Sequence, residues 1–250
     1  MFRTIRERFR QKHRTVGFPD AAPVMPERYR GLPRLEMDEC VPGCNSCAKS
    51  CPTGAISCEG GISLDLGKCL FCTACERACK TGAIRMSGDY RISATKRDDL
   101  VLRPGKPVPD VVAMTRELRG LFGRSLKLRQ VSAGGCNACE ADLNVLSTIV
   151  FDLGRFGIQF VASPRHADGI VITGPVTANM KLALEKTWAA VPSPKIAIAV
   201  GACAISGGLF ATGSGCNGGA GGIIPVDLFV PGCPPHPYSI LDALLKFKSC

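Results

Sequence analysis

One tryptophan, three tyrosines and three histidines are all that 250 residues offer of those types. So few flat side chains leave no interleaved aromatic platform for stacked bases, which argues against nucleic acid despite a formal net charge of +10. Long apolar runs are missing as well. No stretch of about 18 uncharged apolar residues occurs, so nothing reads as a membrane span. The N-terminus, MFRTIRERFRQKHR, carries charge where a secretory leader would carry an apolar core. The glycine-rich stretch 213–222 (GSGCNGGAGG) lacks the Gly-Lys-Ser/Thr that cradles a phosphate. The expectation from these absences is a cytoplasmic protein without a nucleic-acid partner.

Cysteine is what the chain has in abundance: 15 residues. With 46% hydrophobic and 21% charged residues, the chain has the composition of an ordinary globular protein rather than a disulfide-stapled miniature. In a reducing compartment, clustered cysteines hold metal more often than each other. If twelve of them ligate three oxidised cubane clusters at about −2 each, the net charge falls to roughly +4. The basic excess then balances buried cluster charge.

Four regions follow from the residue pattern. Residues 1–34 hold nine Lys/Arg against three Asp/Glu, and Phe2, Ile5 and Phe9 recur at helical spacing between arginines. That is a basic amphipathic helix suited to a membrane surface or a partner's groove, or a solvated terminus. Pro19, Pro23, Pro26 and Pro33 then favour an extended docking arm. Residues 35–95 are a cysteine-rich repeat. Residues 96–124 read as a linker, with loop chemistry at 103–107 and Val111, Met114, Thr115, Leu118 and Phe122 on one face of a helix. From 125 to 250, predicted strands at 126–132, 158–163, 168–173, 195–200 and 225–230 alternate with helices at 139–152, 178–190 and 236–247. That alternation predicts an α/β domain with a doubly wound parallel sheet, preceded by the small α+β repeat domain.

The repeat is explicit. Cys44, Cys47 and Cys51 return as Cys72, Cys75 and Cys79, and Thr53-Gly54-Ala55-Ile56 returns as Thr81-Gly82-Ala83-Ile84. The second copy, Cys69-x2-Cys72-x2-Cys75-x3-Cys79, has the spacing in which three cysteines hold one cubane while the fourth crosses to another. By that crossing, one cluster takes Cys69, Cys72, Cys75 and Cys51, and the other takes Cys40, Cys44, Cys47 and Cys79. Zinc knuckles also use paired cysteines, normally with a longer loop between the pairs. Cys40 lies one residue further from Cys44 than the repeat requires. Either a Pro42-Gly43 turn absorbs the extra residue, or Cys40 does not ligate. Lys80 stands where Pro52 follows the first copy, and its charge would favour the reduced cluster.

Four further cysteines follow predicted strands: Cys136 and Cys139 after the first, Cys203 after the fourth and Cys233 after the fifth. Loops beyond the carboxyl ends of an open parallel sheet meet at one crevice, so these thiols are expected together. Flanking glycines and prolines (Gly134-Gly135-Cys136, Gly201-Ala202-Cys203, Pro231-Gly232-Cys233-Pro234-Pro235) let the backbone approach a cluster closely.

Gly135-Cys136-Asn137-Ala138-Cys139-Glu140, Ser163-Pro164-Arg165-His166-Ala167-Asp168, Thr173-Gly174-Pro175-Val176-Thr177, Gly201-Ala202-Cys203 with Ser206-Gly207-Gly208, and the Cys233 segment resemble the small subunits of energy-converting (group 4) [NiFe] hydrogenases of the formate hydrogenlyase type. The related complex I subunit has a tandem Cys-Cys where this chain has Cys-x-x-Cys. Residues 25–100, with Phe71 between Cys69 and Cys72, resemble the ferredoxin-like subunit of the same complexes, normally a separate chain. The resemblance implies a flavodoxin-like fold and a third [4Fe-4S] cluster on Cys136, Cys139, Cys203 and Cys233, nearest a catalytic large subunit. It implies a [NiFe] hydrogenase-like large subunit, membrane-arm subunits, and a formate dehydrogenase or another electron donor as partners. The place implied is the inner face of the cytoplasmic membrane. Ala141-Asp142 departs from the family's Ile-Glu after Cys139-Glu140. Glu140 is the carboxylate to test for redox-linked protonation.

Cys58, Cys216 and Cys250 are left over and read as free thiols rather than ligands. His166 and His236 lie near the cluster loops, where they either titrate with reduction or make structural hydrogen bonds. The whole reads as an electron-transfer subunit whose catalyst lies on another chain. Its rivals are a quinone-reducing complex I-like module, a relative whose large subunit has lost nickel, and a free-standing ferredoxin-type carrier.

Overall fold

The computed structural model describes residues 2–248, so Cys250 lies outside the described residues. Helix α1 (Phe2–Gln11) buries none of its residues. Part of the proline-rich stretch after it packs on the chain's own body. Val16 N–H donates to Val150 O at 2.8 Å, Arg155 donates to the carbonyls of Val16 and Phe18, and Phe18 is buried against Tyr90 and Tyr238.

In the first half the internal repeat has a structural counterpart. Strand β1 (Pro33–Leu35) leads to α2 (Ser46–Ser50) and the hairpin β2 (Ile56–Ser57) and β3 (Ser63–Asp65). Helix α3 (Ala74–Ala78) and β4 (Ile84–Met86) then repeat α2 and β2 at the offset of the cysteines, Ser46 to Ala74 and Ile56 to Ile84. Strand β4 closes on β1 antiparallel, with Leu35 opposite Ile84. Strand β5 (Val101–Leu102) pairs with β3, so residues just past 96 complete this half's sheet instead of leaving it.

The helix expected from Val111 onward begins only at α4 (Arg116–Phe122), where the Thr115 hydroxyl accepts from Leu118 N–H. Val111 and Met114 are buried all the same, because the irregular segment before α4 is held by Met114 N–H on Phe247 O.

The second half is a five-stranded sheet of β6 (Leu126–Ser132), β7 (Ile158–Phe160), β8 (Gly169–Thr173), β9 (Ile196–Val200) and β10 (Leu228–Val230), every pair parallel. Strands β8 and β9 are GIVIT and IAIAV, buried throughout; such unbroken apolar runs suit strands covered on both faces. The helices are α5 (Ala138–Val145), α6 (Ala178–Ala190), α7 (Ala202–Ser206) and α8 (Pro237–Lys248). From one edge the order is β7, β6, β8, β9, β10, the flavodoxin-like sequence 2-1-3-4-5, which puts its switch point between β6 and β8. Three elements are shorter than expected. Helix α5 stops at Val145 before a turn ending at Asp152 (φ +49°), β7 stops at Phe160, and β10 starts only at Leu228, beyond Pro225, which has no N–H for the ladder.

The halves share a core. Leu64, Leu66, Ile84 and Leu100 pack in one cluster with Ala199, Ala204, Ile205 and Phe229. Ala94 and Phe229 exchange two backbone hydrogen bonds, and the Ser206 hydroxyl donates to Gly67 O at 2.8 Å. Asp65 and Arg97, paired through two bonds of 2.8 and 2.6 Å, brace the same seam. The elements around Cys69 and Cys203 are thus fixed against each other by packing.

Candidate metal centres

The repeat's crossing appears as geometry. Cys69, Cys72 and Cys75 come from the turn and helix of the second copy, and Cys51 arrives from the end of α2 in the first. Burial first, then the proximity of Cys75, Cys51 and Cys72, pushes the Cys69 thiol up to about 12. Cys75 is raised by burial and by Cys51 and Cys72. Backbone amides already point at this sulfur group: Phe71 N–H donates to Cys69 Sγ at 3.3 Å and Ala55 N–H to Cys51 Sγ at 3.2 Å. Phe71 and Thr73 adopt positive φ (+53° and +62°), which bends the chain around the site.

At the mirror-related position, Cys44 and Cys79 lie within electrostatic reach of each other and Cys47 is buried on α2. The extra residue before Cys44 is taken up by a turn, Cys44 N–H to Val41 O, with Gly43 at φ +76°. Cys40 ends the 3-10 turn Met37–Glu39 and is half-buried, its S–H directed at Val41 O. A thiol that spacing did not place appears here too: Cys58 packs against the same core as Cys47 and lies within electrostatic reach of it.

The third group forms where the switch point predicts. Cys136 and Cys139 follow β6, Cys203 follows β9 and Cys233 follows β10. Burial, then Glu140, Cys203, Cys233 and Cys136, raises the Cys139 thiol far above its ordinary value. Cys203 is pushed up to about 11 by burial, then by Cys233, Cys136, Cys216 and Glu140. Cys216, on the glycine-rich loop bridged to Thr177, therefore also stands beside this group. Only glycine fits at 201: φ is +92°, and a Cβ there would lie 2.5 Å from Cys139 Sγ.

Glu140 is buried below this site, its Oε1 accepting from the Ser132 and Thr173 hydroxyls, each at 2.6 Å. Burial opposes its charge, but the two hydroxyls outweigh it and its pKa is lowered. His236 makes structural contacts: its Nδ1 accepts from Tyr238 N–H, its ring stacks on Tyr238, and burial lowers its pKa. His166 sits on the 3-10 turn Pro164–His166, its N–H bonded to Ser163 O.

The second and third groups adjoin. Cys233 is raised by burial, then by Cys136 and by Cys72 of the other half. A cleft of about 610 Å³ opens between them, lined among others by Arg30, Phe71, Asp142 and Cys233. Among the described residues no three His, Cys, Asp or Glu side chains are placed to hold a single metal ion. Every described cysteine is a free thiol. All-thiol sets with backbone N–H donors and a glycine at van der Waals limit fit iron–sulfur clusters better than zinc.

Residues 136–247 match the family model described as NADH ubiquinone oxidoreductase, 20 Kd subunit. The probable membrane-bound hydrogenase subunit mbhJ of Pyrococcus furiosus is 43% identical over 133 residues, 52% of this chain and 77% of that protein. The chain belongs to this family.

Residues 62–85 also match a 4Fe-4S binding domain, which takes in Cys69, Cys72, Cys75 and Cys79. Within the 20 Kd subunit family, formate hydrogenlyase subunit 7 of Escherichia coli is 42% identical over 142 residues, 55% of this chain. This chain spans 56% of that relative's length. An NADH-quinone oxidoreductase subunit of Heliobacterium modesticaldum is 41% identical over 118 residues, 47% of this chain and 67% of the relative. The chain is thus an iron–sulfur oxidoreductase subunit of the class that serves membrane-bound hydrogenases and complex I-like enzymes.

Proposed function

We propose that this chain relays electrons to or from the large subunit of a membrane-associated [NiFe] hydrogenase complex of the formate hydrogenlyase type. It would hold three [4Fe-4S] clusters: on Cys40, Cys44, Cys47 and Cys79; on Cys69, Cys72, Cys75 and Cys51; and on Cys136, Cys139, Cys203 and Cys233. Such clusters supply one-electron carriage, and the polypeptide supplies their spacing, burial and hydrogen bonding. The observation that carries this reading is the approach of Cys72 to Cys233, which puts a repeat-domain site next to the switch-point site. Glu140, held by two hydroxyls, supports a fixed carboxylate charge beside the third cluster better than a mobile proton. Iron and sulfide analysis of the anaerobically purified chain should give about twelve irons, with EPR of the cubane type; about eight would remove one cluster.

Attachment to the cytoplasmic membrane face rests on α1. Phe2 and Phe9 are 89% and 79% exposed, with arginines between them, as an interfacial helix requires. No helix among the described residues is long and apolar enough to cross a membrane. Since Val16–Phe18 pack on the body, removing residues 1–12 alone should release the complex from membranes while leaving the clusters intact. Unaltered sedimentation with membranes would refute that role.

The 41% identity to an NADH-quinone oxidoreductase subunit favours a second reading, a quinone-reducing module. The Cys136-x-x-Cys139 spacing favours the hydrogenase. Hydrogen-dependent against quinone-dependent turnover of the purified complex separates the two, and nickel content of the partner large subunit identifies a relative that has lost the metal.

A further inference from the structure

The arm that follows α1 crosses the seam between the halves at residues 28–32 and is fastened to both. Tyr29 holds the second half: its ring meets His236 edge-on at 5.3 Å between centroids, and its hydroxyl lies 3.2 Å from that of Ser239. Two residues on, Gly31 N–H donates to Ser87 O at 2.7 Å and Leu32 N–H to Asp89 O at 2.8 Å, both in the first half. The backbones run so close there that a Cβ on Gly31 would collide with Asp89 O.

Arg30 stands between these anchors and lines the cleft of about 610 Å³ that also has Phe71, Cys233 and Pro234 on its walls. Its guanidinium donates to Phe71 O at 3.5 Å, on the positive-φ turn between Cys69 and Cys72. The cleft's charged residues are two cations, Arg28 and Arg30, against one carboxylate, Asp142. A [4Fe-4S] cluster gains one negative charge on reduction, so a cation held nearby favours the reduced form and raises the midpoint potential. A cation facing two clusters across one cleft does so for both.

We propose that Arg30 is a tuning residue of the relay: carried on a strap fastened to both halves, it holds its charge in the cleft between the second and third clusters and raises the midpoints of both. The inference rests on the proposed ligand set and deepens it. It gives the arm a part in electron transfer. The two clusters that face the cleft are lifted together, while the first, whose cysteines lie outside that lining, is not.

The test is an EPR-monitored redox titration of the full chain, purified anaerobically, as wild type, Arg30→Gln and Arg30→Lys. Cys203→Ala, which dismantles the third site, identifies that cluster's signal. In Arg30→Gln two midpoints, that of the third cluster among them, should move to more negative potential while one stays, with the iron count unchanged at about twelve. Arg30→Lys keeps the charge and should restore most of both shifts. Three unmoved midpoints, or movement of one alone, would overturn the proposal. So would equal shifts in the two variants, which would make the bond to Phe71 responsible rather than the charge. Loss of iron from Arg30→Gln would overturn it as well, leaving Arg30 a structural support of the second site. A wild-type chain without the cubane signal would overturn the ligand set beneath it, a failure visible before any variant is made.

Discussion

Cys72, from the first half of the chain, lies within electrostatic reach of Cys233, from the second, and adds to the influences that raise the Cys233 thiol. Clusters held at these two sites should therefore titrate with mutual influence, the first electron making the second harder to add. The fully reduced chain should show magnetic broadening between two of its clusters. Replacing Cys203 by alanine, which dismantles the third site but leaves Cys72 and Cys233 in place, should remove this pair's share of the broadening and leave that between the two repeat-domain clusters. A spectrum identical to wild type would mean that the two sites do not exchange.

Phe229 joins the halves. It is buried in the core shared with Leu64 and Ile84, and its backbone closes a two-bond bridge to Ala94. Phe229→Ala keeps the bridge and removes the ring, for which a cost of about 3–5 kcal/mol is expected. A chain cut inside 103–107, by contrast, should remain associated, because the shared core and the Ser206–Gly67 bond do not depend on that loop. Gel filtration of the cut chain and urea midpoints of the variant check both. Halves that separate on cutting would show that covalent fusion, not packing, sets the distance between clusters.

The parts of this architecture that the sequence made legible are those where chemistry repeats at fixed spacing. The offset between Cys47 and Cys75 marked the repeat that α2 and α3 carry, one cysteine-bearing helix in each copy. The strand–helix alternation after 125 predicted the parallel sheet, and glycine-flanked cysteines after β6, β9 and β10 predicted the crevice. Contacts between segments remote in sequence were hidden. Val111 and Met114 have helical spacing but are buried as extended chain, held by α8. The prolines of the arm encode its extension but not the surface it crosses. Cys58 and Cys216 carry no motif, since what places each beside a proposed ligand is a hairpin turn in one case and a bridge to Thr177 in the other.

Loading of the sites should depend on pH in one direction. Burial holds the Cys69 thiol up to about 12 from an ordinary 9.0, and Cys47 up to about 12 as well. Both are protonated at neutral pH in the cluster-free chain and must lose those protons to bind iron. The folded, cluster-free form thus binds more protons than the loaded form, and raising the pH favours loading. Ordinary thiols would flatten this gain above about pH 9; these should not. Reconstitution with iron and sulfide at pH 7, 8 and 9.5, followed by absorbance and proton release, measures the slope. A plateau before pH 9 would show that the buried thiols are already ionised.

Gly201 offers the sharpest steric test. Its φ of +92° disfavours any side chain, and an added Cβ would come within 2.5 Å of Cys139 Sγ, inside contact distance of a proposed ligand. Gly201→Ala should push Cys139 out of place and cost the third cluster, taking iron from about twelve per chain to about eight, while the other two midpoints stay. Gly221 has no such neighbours and an ordinary φ, so Gly221→Ala, on the glycine-rich loop 213–222, serves as the control and should keep all its iron. If Gly201→Ala retained full iron and an unchanged spectrum, Cys139 would not be the ligand its position makes it, and the third site would need another fourth thiol, with neighbouring Cys216 the first to examine.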